Sequence, residues 1–467
     1  MAPRPLALPL LLCALLATAC GNTPSEPPAA TADDPEGVRE HPASPVPAGT
    51  GSEAAGDVNG DGFTDLVFIV SQDADDSTGQ ADHMIVVYGS GQGLDPATRT
   101  RLDAAPAVAV ARPGGDGAPG GTADLDGDGF ADIPFVRQRD IMTGETVHAV
   151  YWGGPSGPGA DPVTLVLPEE EGLSAGWPPA AAGDFDGDGA ADLALVRNAY
   201  LGARDDALTV LYGPFDRDGA AARTASRPFP SWIGSLVAGP PGPDGSPLLV
   251  HHSSDGEQHQ NTLFLTGPGD PAGWAQVDPV GGSLSAFGDM DGDGTADLVV
   301  GDDGNRNNEP GYRTEVPEVH HRLNLYPGPL TADLGEPVAV DLPGEEIAFT
   351  WGTRHLALCD TGGDGVREAA VGRRGHGVDT VRWADGALEV VDAPPLVRRG
   401  PEDGPLGGGS AQERTAVLSG CADHDADGSD ELLLSYSRGN AGASPDRWWV
   451  TDGTEDLLGF DSAGFGD

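Results

Sequence analysis

Residues 56–68 read GDVNGDGFTDLVF, and this pattern returns along the whole chain. Four further complete copies are ADLDGDGFADIPF at 123–135, GDFDGDGAADLAL at 183–195, GDMDGDGTADLVV at 288–300 and ADHDADGSDELLL at 422–434. A weakened copy, CDTGGDGVREAAV, occupies 359–371, and a degenerate one, GPPGPDGSPLLV, occupies 239–250. Measured at the first acidic position or its equivalent Pro240, the steps between copies are 67, 60, 56, 49, 71 and 63 residues. Seven copies at similar spacing indicate one supersecondary unit repeated seven times.

The text between the copies predicts the fold. Each motif runs into a short apolar strand, as at 66–70 and 298–300, and a polar loop follows. A second strand then ends in an aromatic-Gly turn or a similar one, at 85–89, 149–153, 209–213 and 324–328. β-rich runs between turn residues, without helical periodicity, are typical of an all-β chain. A repeat of about 60 residues with room for four strands is one propeller blade. We therefore predict an all-β seven-bladed β-propeller over 52–467.

Composition excludes several classes of protein. Glycine and proline, 71 and 42 of 467 residues, would approach low complexity if the glycines did not recur with the motif. The chain has 74 acidic and 25 basic side chains and a formal charge of −49. Binding to nucleic acid or to anionic lipid through a basic face is therefore excluded, because both need a positive footprint.

The N terminus predicts export. Residues 1–20 are typical of a secretory signal, in which Arg4 precedes an apolar run at 6–19 that is too short to span a bilayer. The run ends in LATACG at 16–21, which is similar to a bacterial lipobox and implies a lipid on Cys20. Ordinary signal-peptidase cleavage after Ala19 is the alternative. Residues 21–51, rich in Pro, Ala, Ser and Thr, are predicted to be a disordered tether. We expect a bacterial cell-envelope or cell-surface protein whose membrane contact is the N-terminal lipid.

The four cysteines fit this compartment. Cys13 would leave with the signal and Cys20 would carry the lipid, which leaves Cys359 and Cys421. An even pair in an exported chain predicts one disulfide. Two isolated buried thiols are the alternative.

The acidic loops predict metal binding. Positions 1, 3, 5 and 9 of each complete copy carry oxygen-bearing side chains, position 6 is glycine, and position 7 has no common side chain, as expected of a backbone-carbonyl ligand. Hard oxygens this dense repel one another without a cation, and six to eight flexible oxygen ligands suit calcium rather than magnesium. Solvated acidic turns are the alternative. The predicted ligands are Asp57, Asn59, Asp61, Phe63, Asp65, Asp124, Asp126, Asp128, Phe130, Asp132, Asp184, Asp186, Asp188, Ala190, Asp192, Asp289, Asp291, Asp293, Thr295, Asp297, Asp423, Asp425, Asp427, Ser429 and Glu431.

Two copies depart from the pattern, and one known motif is excluded. At 240–248 only Asp244 is retained of the ligand set, so this site is predicted to be lost. At 360–368 a weak site would use Asp360, Asp364 and Glu368, because glycine stands at position 3. An EF-hand needs a glutamate at position 12 and a following helix, whereas position 12 is apolar here. We therefore expect about five structural calcium ions.

The D-x-[DN]-x-D-G-x-x-D loops at 57–65, 124–132, 184–192, 289–297 and 423–431 resemble the FG-GAP/VCBS repeats of integrin-α-type seven-bladed propellers. The resemblance covers about 52–467, and Trp351-Gly352 stands where that family usually has Phe-Gly. It implies calcium held in the turn between the first two strands of a blade.

Motifs of catalysis are missing from the sequence. It contains no His-Glu-x-x-His, no Gly-x-Ser-x-Gly and no phosphate-binding glycine loop, and the His251-His252 and His320-His321 pairs are interpreted as solvated loop tips. We expect a non-enzymatic lipoprotein that presents a protein- or glycan-binding face, formed by the loops opposite the calcium loops at 71–83, 137–146, 197–206, 251–261, 301–321, 373–379 and 437–446. A polysaccharide lyase or hydrolase and a structural scaffold of an envelope complex are the alternatives.

Overall fold

The structure is a computed structural model. It describes residues 43–73, 80–104, 108–110, 121–140, 145–168, 174–175, 180–197, 206–253, 261–302, 321–343, 354–403, 407–438 and 446–465. The predicted signal segment, the lipidation site Cys20 and most of the predicted tether lie outside these ranges. Within them, no helix reaches the length and apolar character needed to cross a membrane.

Seven antiparallel sheets follow one another along the chain, each built from strands consecutive in sequence. Sheet 1 contains β1 (Leu66–Asp73), β2 (Gln80–Tyr88) and β3 (Asp95–Ala104). Sheet 2 contains β4 (Val108–Val110), β5 (Ile133–Asp140), β6 (Glu145–Tyr151) and β7 (Val163–Thr164), with β8 (Ser174–Ala175) also pairing with β6. Sheet 3 contains β9 (Ala180–Gly183), β10 (Asp192–Arg197), β11 (Asp206–Tyr212) and β12 (Arg223–Phe229).

The remaining four sheets repeat this four-stranded meander. Sheet 4 contains β13 (Trp232–Ala238), β14 (Leu248–Ser253), β15 (Asn261–Thr266) and β16 (Ala275–Val277), with a single-turn 3-10 helix at Pro271–Gly273. Sheet 5 contains β17 (Leu284–Gly288), β18 (Asp297–Gly301), β19 (Arg322–Tyr326) and β20 (Val338–Asp341). Sheet 6 contains β21 (Arg354–Cys359), β22 (Glu368–Arg373), β23 (Gly377–Ala384) and β24 (Ala387–Val390). Sheet 7 contains β25 (Val417–Ala422), β26 (Glu431–Tyr436), β27 (Arg447–Thr451) and β28 (Asp456–Asp461).

The core lies between the sheets and closes them into a ring. Seven clusters of buried apolar side chains each join two neighbouring sheets, and one of them joins sheet 7 to sheet 1. Successive side chains on a strand point to opposite faces. On β2, Met84 and Val86 therefore pack toward sheet 2, while Ile85 and Val87 pack toward sheet 7. Seven sheets and seven interfaces form a seven-bladed propeller, as the sequence predicts.

A disulfide reinforces one interface. Cys359 at the end of β21 is bonded to Cys421 on β25, with the two Cα atoms 5.9 Å apart. The bond joins blades 6 and 7 and confirms the predicted pairing. The alternative of two isolated thiols is wrong.

The packed part of the chain begins before residue 52. Residues 43–51, which the sequence places in the tether, lie across the first two acidic loops. Backbone N–H groups of Thr50 and Gly51 donate to the Gly60 carbonyl at 2.9 and 3.1 Å, and that of Ser44 donates to Ala97 at 2.7 Å. A Cβ on Gly49 would lie 2.1 Å from the backbone of Gly60. The hydrogen bonds are made by backbone atoms, and one apolar side chain, Val46, packs against the cluster between blades 1 and 2. A single apolar residue gives no periodic pattern that would predict this contact.

Candidate metal centres

The aspartate at position 1 folds each acidic loop around its own carboxylate. In the third loop, Asp184 Oδ1 accepts the N–H groups of Gly187 and Asp188 at 2.8 and 3.1 Å, and Oδ2 accepts that of Gly189 at 3.0 Å. The bond to the position 6 N–H recurs in all six loops that keep the position 1 aspartate, at 2.6–3.0 Å. The position 6 glycines have φ between 84° and 97°, a region that side-chain-bearing residues rarely adopt.

The acid at position 9 fastens the loop to the next turn of the blade. Asp192 Oδ2 accepts the Phe185 N–H at 2.7 Å, and Oδ1 accepts the Gly213 N–H at 2.8 Å. The first, second and fifth loops make both bonds in the same way, and Glu431 makes the first of them at 2.9 Å. Gly213 belongs to the aromatic-Gly turn that ends β11. This turn must be glycine because a Cβ there would lie 2.3 Å from the Ala191 carbonyl oxygen.

Three carboxylates converge in each of four loops. Oxygens from positions 1, 3 and 9 lie within 4.8 Å of one another, and one of the three residues is buried in every group. The groups are Asp124, Asp126 and Asp132; Asp184, Asp186 and Asp192; Asp289, Asp291 and Asp297; and Asp423, Asp425 and Glu431. In the first loop Asn59 replaces the position 3 acid, between the buried Asp57 and Asp65. The arrangement brings together hard oxygen ligands of the kind calcium prefers.

The position 3 side chain supplies a test of whether a cation fits. In the first three loops one oxygen of this side chain is buried and has no hydrogen-bond partner: Asn59 Oδ1, Asp126 Oδ1 and Asp186 Oδ1. Asn59 is fully buried, and its amide nitrogen is already used by the Pro47 carbonyl at 3.0 Å and Asp61 Oδ2 at 2.9 Å. Buried oxygens without a donor are costly. A bound cation satisfies them, so the residues of these loops fit a hard divalent ion.

Burial makes the same carboxylates hard to ionise on their own. Desolvation raises the pKa of Asp132 to about 8, of Asp192 and Glu431 to about 7 and of Asp297 to about 6, although backbone N–H groups oppose the shift. The pKa of Asp65 is also raised by burial. A positive charge beside these carboxylates would lower their pKa values and favour the ionised form.

Positions 5 and 7, which are also predicted to supply ligands, are joined to each other by a hydrogen bond. The position 5 carboxylates lie outside the four convergent groups, and each accepts the position 7 N–H through Oδ1 at 2.8–3.3 Å. This bond uses the N–H of each position 7 residue and not its carbonyl oxygen, which is the predicted ligand atom. The carboxylates that converge come from three of the predicted ligand positions, and the ligands at positions 5 and 7 stay predictions.

The degenerate copies have other structures. At 240–248 a backbone turn forms, with reciprocal bonds between Gly242 and Gly245 at 3.1 Å, and Asp244 is exposed. In the sixth loop Asp360 still accepts the Gly365 N–H, while burial raises the pKa of Glu368. Its residues are not among the convergent groups of the described ranges. Arg367 of this loop instead forms an ion pair with Asp430 at 2.9 Å.

The acidic loops are neighbours on one face of the ring. In three pairs of successive loops the position 8 N–H donates to the position 1 carbonyl of the preceding loop at 2.8 Å, from Ala131 to Asp57, from Arg367 to Asp289 and from Asp430 to Asp360. The seventh loop contacts the first through the fully buried His424, whose Nδ1 lies 2.7 Å from the Thr64 carbonyl oxygen. The sequence analysis did not predict these contacts. The aromatic-Gly turn was a signal, because a glycine that recurs at the same place in several blades indicates close packing against a neighbouring loop.

The opposite loops are described only in part. Most of the predicted ligand face lies outside the described residues, and so does Trp351. The segments concerned are 74–79, 141–144, 198–205, 254–260, 303–320 and 439–445. The loop at 373–379 is described and contains an ion pair between Arg373 and Asp379 at 2.7 Å. His251, interpreted as part of a loop tip, is instead 1% exposed on β14 and bonds to Ser285 Oγ at 2.7 Å. The His251 imidazole is therefore buried between blades 4 and 5 and is not at a loop tip.

Comparisons with known structures give propellers. The β-propeller domain of the Trilobed protease from Pyrococcus furiosus is 10% identical, with a TM-score of 0.42, and the match covers 91% of this chain and 99% of that one. An acylaminoacyl peptidase from Pyrococcus horikoshii is 10% identical with a TM-score of 0.39, covering 86% of this chain but 51% of the peptidase. A lectin from Aleuria aurantia, in complex with α-methyl-L-fucoside, is 10% identical with a TM-score of 0.29, covering 70% and 92%.

These TM-scores are all below 0.5, so the fold assignment rests on the sheets and interfaces described above. Neither the protein-family models nor the curated proteins gave a match. The resemblance to FG-GAP/VCBS repeats therefore rests on the acidic loops themselves and stays a prediction.

Proposed function

We propose that the five complete acidic loops bind calcium and that the ions stabilise the propeller. The observation that carries this proposal is the unpartnered oxygen at position 3 of the first three loops, which lies next to the acids of positions 1 and 9. These loops carry more carboxylate and amide oxygens than the hydrogen bonds of their own turns use. Calcium would be held by the convergent side chains of positions 1, 3 and 9, with positions 5 and 7 as the further predicted ligands, and it would supply the positive charge that the buried acids lack.

The expected stabilisation is large. A site with a Kd of about 10⁻⁴ M, typical of extracellular modules, gains about 1.4 kcal/mol at about 1 mM calcium. Five such sites give about 7 kcal/mol, which is comparable with the stability of a whole domain.

Thermal unfolding tests the calcium proposal. The tagged chain without its signal segment should melt at a much lower temperature in EDTA than in 1 mM calcium, and magnesium should restore little of the difference. Asp244→Asn is the matched control, because Asp244 is exposed on the turn that has lost the ligand set. An EDTA melting curve that coincides with the calcium curve would reject calcium binding.

We further propose that the protein is exported, is attached to the bacterial cell envelope through a lipid on Cys20, and uses the face opposite the acidic loops to bind a protein or a glycan. Backbone bonds and bound ions would occupy one face, which leaves the other free for a ligand. Metabolic labelling with a clickable fatty acid should mark the wild type and not Cys20→Ala. Labelling that persists in Cys20→Ala would contradict the anchor.

The ligand is sought with the calcium-loaded soluble propeller on a glycan array and in a pull-down from envelope extract. Binding should disappear in EDTA if the rigid ring presents the loops. Asp244→Asn, folded and calcium-loaded, should bind as the wild type does. Product formation from an array polysaccharide would overturn the non-enzymatic proposal.

A further inference from the structure

Two arginines contact the position 3 acids of the second and third loops. Arg217 donates to Asp126 Oδ2 through Nε and to Asp128 Oδ2 through Nη2. Arg223 donates to Asp186 Oδ2 through Nη2 at 2.8 Å and to Asp270 through Nη1. Each arginine therefore joins a loop acid to a second carboxylate. A planar guanidinium suits such a two-carboxylate contact.

Each arginine takes one oxygen of the position 3 acid and leaves the other. Asp126 Oδ1 and Asp186 Oδ1 are the atoms that are buried without a hydrogen-bond partner. Because the two oxygens of a carboxylate are fixed relative to each other, holding Oδ2 also fixes where Oδ1 points. The first loop has the same arrangement with another partner, since the Pro47 carbonyl and Asp61 hold the Asn59 amide nitrogen while Oδ1 stays unpartnered.

The fifth and seventh loops lack this arrangement within the described part of the chain. There, Asp291 Oδ1 and Asp425 Oδ1 each accept the position 5 N–H at 3.1 Å. Their position 3 acids are thus used by their own loops. The contrast divides the five complete loops into three with an external contact at position 3 and two without.

The arginines are themselves fixed by aromatic rings and backbone. The Arg217 guanidinium carbon lies 5.4 Å from the Trp152 ring centroid, and Trp152 Nε1 donates to the Arg217 carbonyl at 3.1 Å. The Arg223 guanidinium carbon lies 3.5 Å from the Tyr212 ring centroid. Both side chains are nearly half exposed, at 48% and 43%, so replacing them removes little packing.

We propose that Arg217 and Arg223 are positioning residues, which hold the position 3 acids of the second and third loops so that Oδ1 faces the bound calcium. The inference rests on the proposed calcium binding. Partners that orient metal ligands in this way typically contribute 10- to 100-fold to metal affinity. A cation that acted by charge alone would have the opposite effect, because its removal would strengthen calcium binding.

Terbium is the probe, because it enters calcium sites and its luminescence is sensitised by a nearby tryptophan. Trp152 contacts Arg217, which in turn contacts the second loop. The part of the terbium luminescence that disappears in Trp152→Phe therefore comes from terbium bound at the second loop. Calcium competition against this signal gives the affinity of the second loop. Arg217→Gln should raise the competing calcium concentration 10- to 100-fold, and Arg217→Lys should also raise it, because one ammonium cannot reproduce the two-carboxylate fork.

Two controls separate the outcomes. Arg322→Gln removes an exposed ion pair with Asp341 on the fifth blade and should leave the titration unchanged, as should Arg223→Gln for the Trp152-sensitised signal. Unchanged or tighter calcium binding in Arg217→Gln would overturn the positioning role. A different result would reject calcium binding at this loop, and with it the proposed function. In that case the wild type would show no terbium luminescence that both depends on Trp152 and is lost when calcium is added.

Discussion

The third acidic loop and the turn of the fourth blade occupy equivalent places and touch each other, yet they are closed by different chemistry. The Ser246 N–H of the turn donates to the Asp184 carbonyl at 2.5 Å, and Ser246 Oγ accepts the Asp184 N–H at 3.1 Å. In residues 184–192, two buried or half-buried acids accept five backbone N–H groups. In residues 240–248, four prolines remove N–H donors, and the fully buried Leu248 stands where the loop has Asp192.

The difference separates two tasks of the acidic loops. Connecting two strands and contacting a neighbouring blade need no carboxylate. The fourth-blade turn is closed by backbone bonds, and it contacts the third blade through the N–H and the hydroxyl of Ser246. Donors and acceptors have been lost together there, which leaves few buried groups unsatisfied. In the third loop, Asp186 closes no part of the turn, and its Oδ1 is left without a partner. Asp186 thus adds a negative charge that does not help to close the turn, and we assign this charge to cation binding.

Asp192→Ala should give the largest difference between the two regions. It leaves the N–H groups of Phe185 and Gly213 without an acceptor, at about 1–3 kcal/mol each, so we expect a loss of about 2–5 kcal/mol in the free energy of unfolding, measured by denaturant titration in 1 mM calcium. Asp244→Ala, at an exposed position of the fourth-blade turn, should stay within about 0.5 kcal/mol of the wild type. Equal losses in the two variants would remove the distinction between these regions.

Gly213→Ala tests the second contact of Asp192 without touching the acid. The new Cβ would lie 2.3 Å from the Ala191 carbonyl oxygen, so the turn must move and the bond from the Gly213 N–H to Asp192 must lengthen. We expect a loss of about 1–3 kcal/mol, as for other overpacked sites, and a matching fall in the melting temperature. Gly273→Ala in the fourth blade is the control, because nothing lies within 4 Å of its Cβ position. If both variants melt together, the close approach at Gly213 does not matter.

The sequence predicts the regular part of this molecule well, for a physical reason. A blade is a local unit, so the motif, the two strands around it and the aromatic-Gly turn appear in sequence order, and seven units imply seven interfaces. The disulfide is predictable because only Cys359 and Cys421 remain after the N-terminal cysteines are assigned. Strand positions follow from short continuous apolar runs, because an inner strand is buried on both faces between neighbouring blades, as at Met84 and Ile85.

The parts that were not predictable depend on distant contacts or on backbone atoms. Arg217 lies 89 residues from Asp128, and nothing in either local sequence points to the other. The docking of residues 43–51 depends on backbone hydrogen bonds and on the single apolar residue Val46, so the Pro-rich composition of the segment predicts a tether. The bond from the position 7 N–H to Oδ1 of the position 5 acid was also not predictable, because a nine-residue pattern does not show which oxygens the loop's own N–H groups bind.

The smallest expected effect concerns the seventh loop, and it tests whether this loop has the same backbone geometry as the other acidic loops. Ala426 stands at its position 4 with φ of 58°, where the other acidic loops have glycine with φ of 65–75°. A left-handed conformation costs an L-residue about 1–2 kcal/mol, and the extra freedom of glycine in the unfolded chain offsets about 0.5–1 kcal/mol of the gain. Ala426→Gly should therefore raise the free energy of unfolding by about 0.5–1 kcal/mol. Ala190→Gly, at a position of the third loop without positive φ, should lower it, and a loss in Ala426→Gly would mean that the seventh loop does not follow the geometry of the others.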